Sequence, residues 1–74
     1  MKLTVEVERE EDGRWFAEVI DLPGVLAYGD LPEEAIRAAR ALALRVIADK
    51  IEHGEIDVQA NLLEFLLPQP STAA

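Results

Sequence analysis

The stretch Val25-Leu26-Ala27-Tyr28-Gly29-Asp30-Leu31-Pro32-Glu33-Glu34-Ala35 contains the point where the hydrophobic pattern changes period. Val25 to Tyr28 is short, apolar and suited to a strand, and Gly29-Asp30 ends it. Pro32 then fits the first turn of a helix, where a missing N–H costs nothing. Glu33 and Glu34 stand near the positive end of the helix dipole. Asp30 or the backbone near Leu31 must supply the cap. From there Ala35, Ile36, Ala39, Leu42, Ala43, Val46 and Ile47 share one broad face at about 100° per residue. The helix is expected to run to about His53, with Gly54 placed to terminate it. Glu33 with Arg37 and Arg45 with Asp49 have i,i+4 spacing, worth about 0.2–0.5 kcal/mol each where the pairs form.

Toward the N-terminus, Leu3 to Arg9 alternates. Leu3, Val5 and Val7 fall on one face and Thr4, Glu6 and Glu8 on the other, as in a half-buried strand. Glu10-Glu11-Asp12-Gly13 carries the Asp-Gly signal of a tight hairpin. Arg14 to Ile20, with Trp15, Phe16, Val19 and Ile20, reads as the return strand, and Asp21-Leu22-Pro23-Gly24 as a turn. Toward the C-terminus, residues 55–60 form a connection. Periodicity does not separate strand from helix in the run Asn61-Leu62-Leu63-Glu64-Phe65-Leu66-Leu67; its short length between Asn61 and Pro68 favours a strand. The order is therefore β-β-β-α-β, an α+β domain with an antiparallel sheet and one helix on one face. The domain spans 1–67, and 68–74 is a polar, proline-bearing tail expected to be mobile.

Length and charge narrow the function. Seventy-four residues make one small domain with a thin core, and the absence of cysteine excludes disulfides and thiolate metal sites. Such a chain needs an unusually good core or a partner. Half the residues are apolar, which argues against disorder. No stretch approaches the roughly 20 apolar residues of a membrane span, and Met1 to Glu6 has no signal-peptide core, so a cytoplasmic protein is expected. The net charge is −8, from 15 acids and 7 bases. That balance disfavours direct binding to nucleic-acid phosphate and favours a basic partner. Residues 1–34 carry ten acids against three bases, and 35–74 five against four, so the first 34 residues, the strands, their loops and the helix start, hold nearly all the excess.

Three segments together resemble the HicB antitoxin family. They are Glu11-Asp12-Gly13-Arg14-Trp15-Phe16-Ala17-Glu18, then Asp21-Leu22-Pro23-Gly24-Val25, then Gly29-Asp30-Leu31-Pro32-Glu33-Glu34-Ala35. The match covers residues 1 to about 55 in order and spacing. The resemblance implies a β-β-β-α-β fold in a partial ribonuclease-H-like arrangement. It implies function by binding: covering the active site of a small basic HicA-type toxin that cleaves mRNA. Two departures stand out. Leu31 occupies the position where the family usually has a capping Ser or Thr. Only seven residues follow the fourth strand, so the DNA-binding segment of longer family members is not expected here, nor is autorepression.

The partner-binding residues expected on this reading are Glu6, Glu8, Glu10, Trp15, Glu18 and Tyr28. An RNA-cleaving toxin must present positive charge, and an acidic sheet face would complement it. Trp15 and Phe16 are neighbours on a strand and point to opposite faces. Tryptophan is the type favoured at binding hot spots. Leu44 and Ile51 lie off the main helix face, and Leu63 and Phe65 belong to a terminal strand too apolar to stand exposed. These four are the expected contacts of a homodimer or higher oligomer. An orphan homo-oligomeric module without a toxin is the alternative. Catalysis is not expected, nor a cofactor or metal. Glu18, Asp21 and Asp30 are the only plausible carboxylate trio, and Asp21 and Asp30 both suit turn and cap positions. His53, the lone histidine, suits the negative end of the helix dipole.

Overall fold

A computed structural model describes residues 1–56 and 63–68. Strand β1 (Lys2–Arg9) turns through Glu10–Arg14 into β2 (Trp15–Val19); β3 (Leu26–Gly29), helix α1 (Pro32–Glu52) and β4 (Glu64–Leu66) follow. The sheet order is β3-β2-β1-β4. The turns form as their residues require. Gly13 has φ 93° and its N–H donates to Glu10 O at 3.0 Å, while Glu10 N–H donates to Arg14 O at 2.7 Å. Gly24, at φ 83°, completes the second turn, in which Val25 N–H donates to Leu22 O at 3.1 Å.

The sheet corrects the expectation of a purely antiparallel arrangement. β1–β2 and β2–β3 are antiparallel, but β4 runs parallel to β1, with Lys2, Leu3 and Thr4 opposite Glu64, Phe65 and Leu66. The helix is the reason. A chain that crosses one sheet face in a long helix is carried back to the starting end of the sheet and returns in the direction of β1, whereas only short turns reverse a strand. The terminal strand pairs within its own chain. Asn61 and Leu62, expected to open it, and the expected mobile tail beyond Pro68 lie outside the described residues.

The core lies between α1 and one sheet face. Leu3, Val5, Ala17, Val19, Leu22, Val25, Ala35, Ala39, Ala43 and Ile47 are its buried members. Three alanines spaced four apart let α1 rest close on β2 and β3. Ile36, Leu42 and Val46 flank them, so the expected helix face is the buried one. The expected pairs Glu33–Arg37 and Arg45–Asp49 do not form among the described residues. Asp49 Oδ1 instead lies 3.4 Å from His53 Nδ1, and Lys50 Nζ lies 3.9 Å from Glu55 Oε1.

The N-cap is Leu31, extended at φ −126° and ψ 152°, with no side-chain cap. Glu34 Oε1 reaches back to accept from Asp30 N–H at 3.3 Å, half of a capping box displaced by one residue. A hydroxyl at position 31 would sit in the backbone conformation that capping uses. Leu31→Ser is therefore expected to raise stability by about 1 kcal/mol, read as a higher urea midpoint at unchanged slope. An unchanged or lower midpoint would show that Glu34 already provides all the capping this end needs.

Candidate functional site: the open sheet face

Alternation and register together define the face turned away from α1. On it lie Lys2, Thr4, Glu6 and Glu8 from β1, Phe16 and Glu18 from β2, Leu26 and Tyr28 from β3, and Glu64 and Leu66 from β4, with Lys2 opposite Glu64 at the far end from Glu8. Glu6 stands directly opposite Glu18, and Glu8 opposite Phe16. Like charges facing each other across a ladder are destabilising. Among the described residues none of Glu6, Glu8 and Glu18 joins an ion pair. Beside this acidic strip the Phe16 and Tyr28 rings lie 6.0 Å apart at 51°. Tyr28 is 46% exposed, with the Arg14 guanidinium 4.7 Å from its ring centre. Such a face presents unpaired carboxylates next to an aromatic platform, an arrangement suited to cationic side chains.

Glu6, Glu8, Glu18 and Tyr28 thus share one surface. Glu10 is engaged through its backbone in closing the hairpin beside it. Trp15 is the correction. It stands in register with Arg9 and Gly29 on the helix side and packs against the core. Its neighbour Phe16 is the outward aromatic. The signal was present in the sequence: Ala17 and Val19 share the phase of Trp15, and Glu18 shares that of Phe16. Leu26 and Leu66 are further open-face residues that the sequence reading did not single out.

Of the four residues expected between copies, Leu63 and Phe65 pack against the chain's own core, and Arg40 lies over the Phe65 ring at 5.5 Å. Their apolar character is therefore accounted for without a second copy. Leu44 and Ile51 remain exposed on α1, at 45% and 42%.

Each member of the possible carboxylate trio has a separate place. The Asp21 carboxylate accepts from Thr4 N–H, and Ile20 N–H donates to Thr4 O at 3.1 Å, so Asp21 extends the β1–β2 ladder past its last residue pair. Asp30 precedes the helix, and Glu18 is in the middle of β2. Among the described residues only Asp49, His53 and Glu55 bring three potential ligand atoms within 4.8 Å of one another. All three are exposed at the end of α1, where His53 Nδ1 lies 2.7 Å from Asp49 O. Their contacts close the helix terminus.

Asp12 Oδ1 accepts from Arg14 N–H at 3.0 Å and Oδ2 from Arg14 Nε at 2.9 Å. The Arg14 N–H first, and its side chain second, hold the Asp12 carboxyl below its usual value of 3.8. A carboxylate with a depressed folded-state pKa favours folding above its unfolded value, and the contribution disappears as pH falls through the folded one. The turn is therefore expected to hold at neutral pH and loosen below about pH 4. The amide shift of Arg14 followed by NMR should titrate there. It should stay flat in Asp12→Asn, and the same titration in that variant would assign the transition to another group.

No helix among the described residues is long and apolar enough to cross a membrane. No protein-family model, no curated protein and no solved structure matches the chain.

Proposed function

We propose that this chain is a HicB-like, antitoxin-type protein that acts by binding. Its open sheet face would cover the active site of a small basic HicA-type toxin and keep mRNA out. The observation that carries this reading is the strip of Glu6, Glu8 and Glu18, without ionic partners among the described residues and flanked by Phe16 and Tyr28. Unpaired acids held on a rigid sheet attract a cationic surface, speed its approach and fix its orientation. The four-strand order, with β4 parallel beside β1, supports placing the sheet in the partial ribonuclease-H-like arrangement that the sequence resemblance implies. On this reading the protein shares the cytoplasm with its toxin and performs no chemistry of its own. A second reading, an orphan homo-oligomeric module, draws support from exposed Leu44 and Ile51, two helical turns apart on one side of α1.

The test is a titration of the full chain into any small basic protein encoded beside it, following heat and residual RNA cleavage together. Tight binding that silences cleavage is expected. It should weaken with salt, and by on the order of 100-fold when Glu6, Glu8 and Glu18 are all changed to Lys. Undiminished cleavage with no heat would overturn the antitoxin reading. A dimer lost in Leu44→Glu would then favour the module.

A further inference from the structure

Among the described residues, β1 is an inner strand at one end and an edge at the other. β4 accompanies it only as far as Thr4, which faces Leu66, although β1 continues to Arg9. The direction of the backbone groups follows from the bonds at either end of the β1–β2 ladder. Thr4 directs both its N–H and its C=O toward Asp21 and Ile20, and Glu10 donates to Arg14. The two-residue repeat then turns the N–H and C=O of Val7 and Arg9 the other way, to the side where β4 has ended. Beside them lies a shallow concavity of about 400 Å³, between residues 4–8 of β1 and residues 66–68.

Two occupants close at hand fit poorly. The first is the chain's own continuation. Glu64 N–H donates to Met1 O at 2.8 Å, so the β4 amides that face β1 recur at 64, 66 and 68. Position 68 is proline, which has no N–H, and a strand continued in that register would next need a donor at 70, which the sequence also makes proline. The second is another copy. Two β1 edges paired antiparallel about Val7 would set Glu6 against Glu8 of the second copy on both sides of the axis, acid against acid.

We infer that the Val7–Arg9 edge of β1 is a docking site for an extended segment of a basic protein, which adds to the sheet as a fifth strand. Strand addition supplies main-chain hydrogen bonds, and alternate side chains supply specificity. The added strand would bear Lys or Arg on the open face, against Glu6 and Glu8, and apolar residues on the α1 side, next to Val5 and Val7. This inference rests on the proposed basic protein partner and adds how that partner is held.

The probe is a synthetic peptide, acetyl-Thr-Lys-Val-Lys-Val-Lys-Val-Thr-amide, added to the full chain while amide exchange is followed by NMR. Exchange at Val7 and Arg9 is expected to slow at least tenfold at saturation. The same peptide with every backbone amide N-methylated keeps its charge and should bind at least tenfold more weakly. Absence of binding, binding that leaves Val7 and Arg9 amides fast, or equal affinity of the methylated peptide would each overturn the inference. The two proposals fail separately. Neutralisation of the adjacent basic protein without slowing at Val7 and Arg9 removes strand addition alone. Slowing by the peptide, with no effect on that protein, removes the antitoxin reading alone.

Discussion

Gly29→Val is expected to cost about 3 kcal/mol or more and to leave a substantial fraction of the protein unfolded in mild denaturant. A Cβ at Gly29 would meet Ala35 N at 2.7 Å and Glu34 Cβ at 2.8 Å. One of these atoms is backbone in the first turn of α1. That turn is tied down by Leu31 O, which accepts from Glu34 N–H at 3.1 Å and from Ala35 N–H at 3.2 Å. Relief therefore requires α1 to lift from β3, which breaks the contact made by the buried alanine row. Overpacking of this kind typically costs 1–3 kcal/mol, and backbone overlap places this case at or beyond the upper end. A domain of this length has roughly 4–11 kcal/mol in total. The urea midpoint should fall by about 2 M or more. Gly24→Ala is the contrasting case. Nothing lies within 4 Å of a Cβ there, but φ is 83°, so only backbone strain of about 1–2 kcal/mol is expected. Equal losses in the two variants would show that the close approach of α1 to β3 is not what position 29 requires.

Leu3→Ala is expected to cost about 3 kcal/mol and to loosen β4. Leu3 is 1% exposed, among the largest fully buried side chains, and its strand partner is Phe65. Truncation of a buried leucine loses transfer free energy and leaves a cavity, for a total of about 2–5 kcal/mol. The core has few members to collapse into the space. β4 contributes only three paired residues, so weakening the Leu3–Phe65 contact should also speed amide exchange at Glu64 and Leu66 relative to the β1–β2 hairpin. A loss below about 1 kcal/mol with unchanged exchange would mean that β4 is held by something other than this contact.

Much of this fold could be read directly from the residues because the deciding signals are local. Asp12-Gly13 and the alternation on either side specify a hairpin with a defined inner face. Pro32, the two acids after it and Gly54 mark the ends of a helix whose alanine-rich stripe is the one buried. The candidate site was legible to the same depth, since Glu6, Glu8 and Glu18 all have the outward phase. The expectation of Trp15 at a partner surface rests on a residue-type preference for interfaces, whereas the structure packs Trp15 on the helix side against the core. The phase, carried by Ala17 and Glu18, was the stronger physical constraint: a one-residue shift would expose Val19 and bury Glu18.

The residues alone settle the first three strands and the helix and which face of each is apolar, because periodicity, turn chemistry and capping act within a few positions of one another; strand or helix stays open for 61–67 until the structure makes it β4. They also settle the charge asymmetry that suggests a basic partner. They do not settle where β4 goes. A short apolar run can pair at either edge and in either direction. Packing over the whole chain selects the parallel place beside Leu3, where Phe65 joins the core and lies under Arg40. That choice ends β4 opposite Thr4 and, among the described residues, leaves Val7 and Arg9 at an edge bordered by acids. It arises from contacts some 60 residues apart in the chain, beyond the range of any local signal.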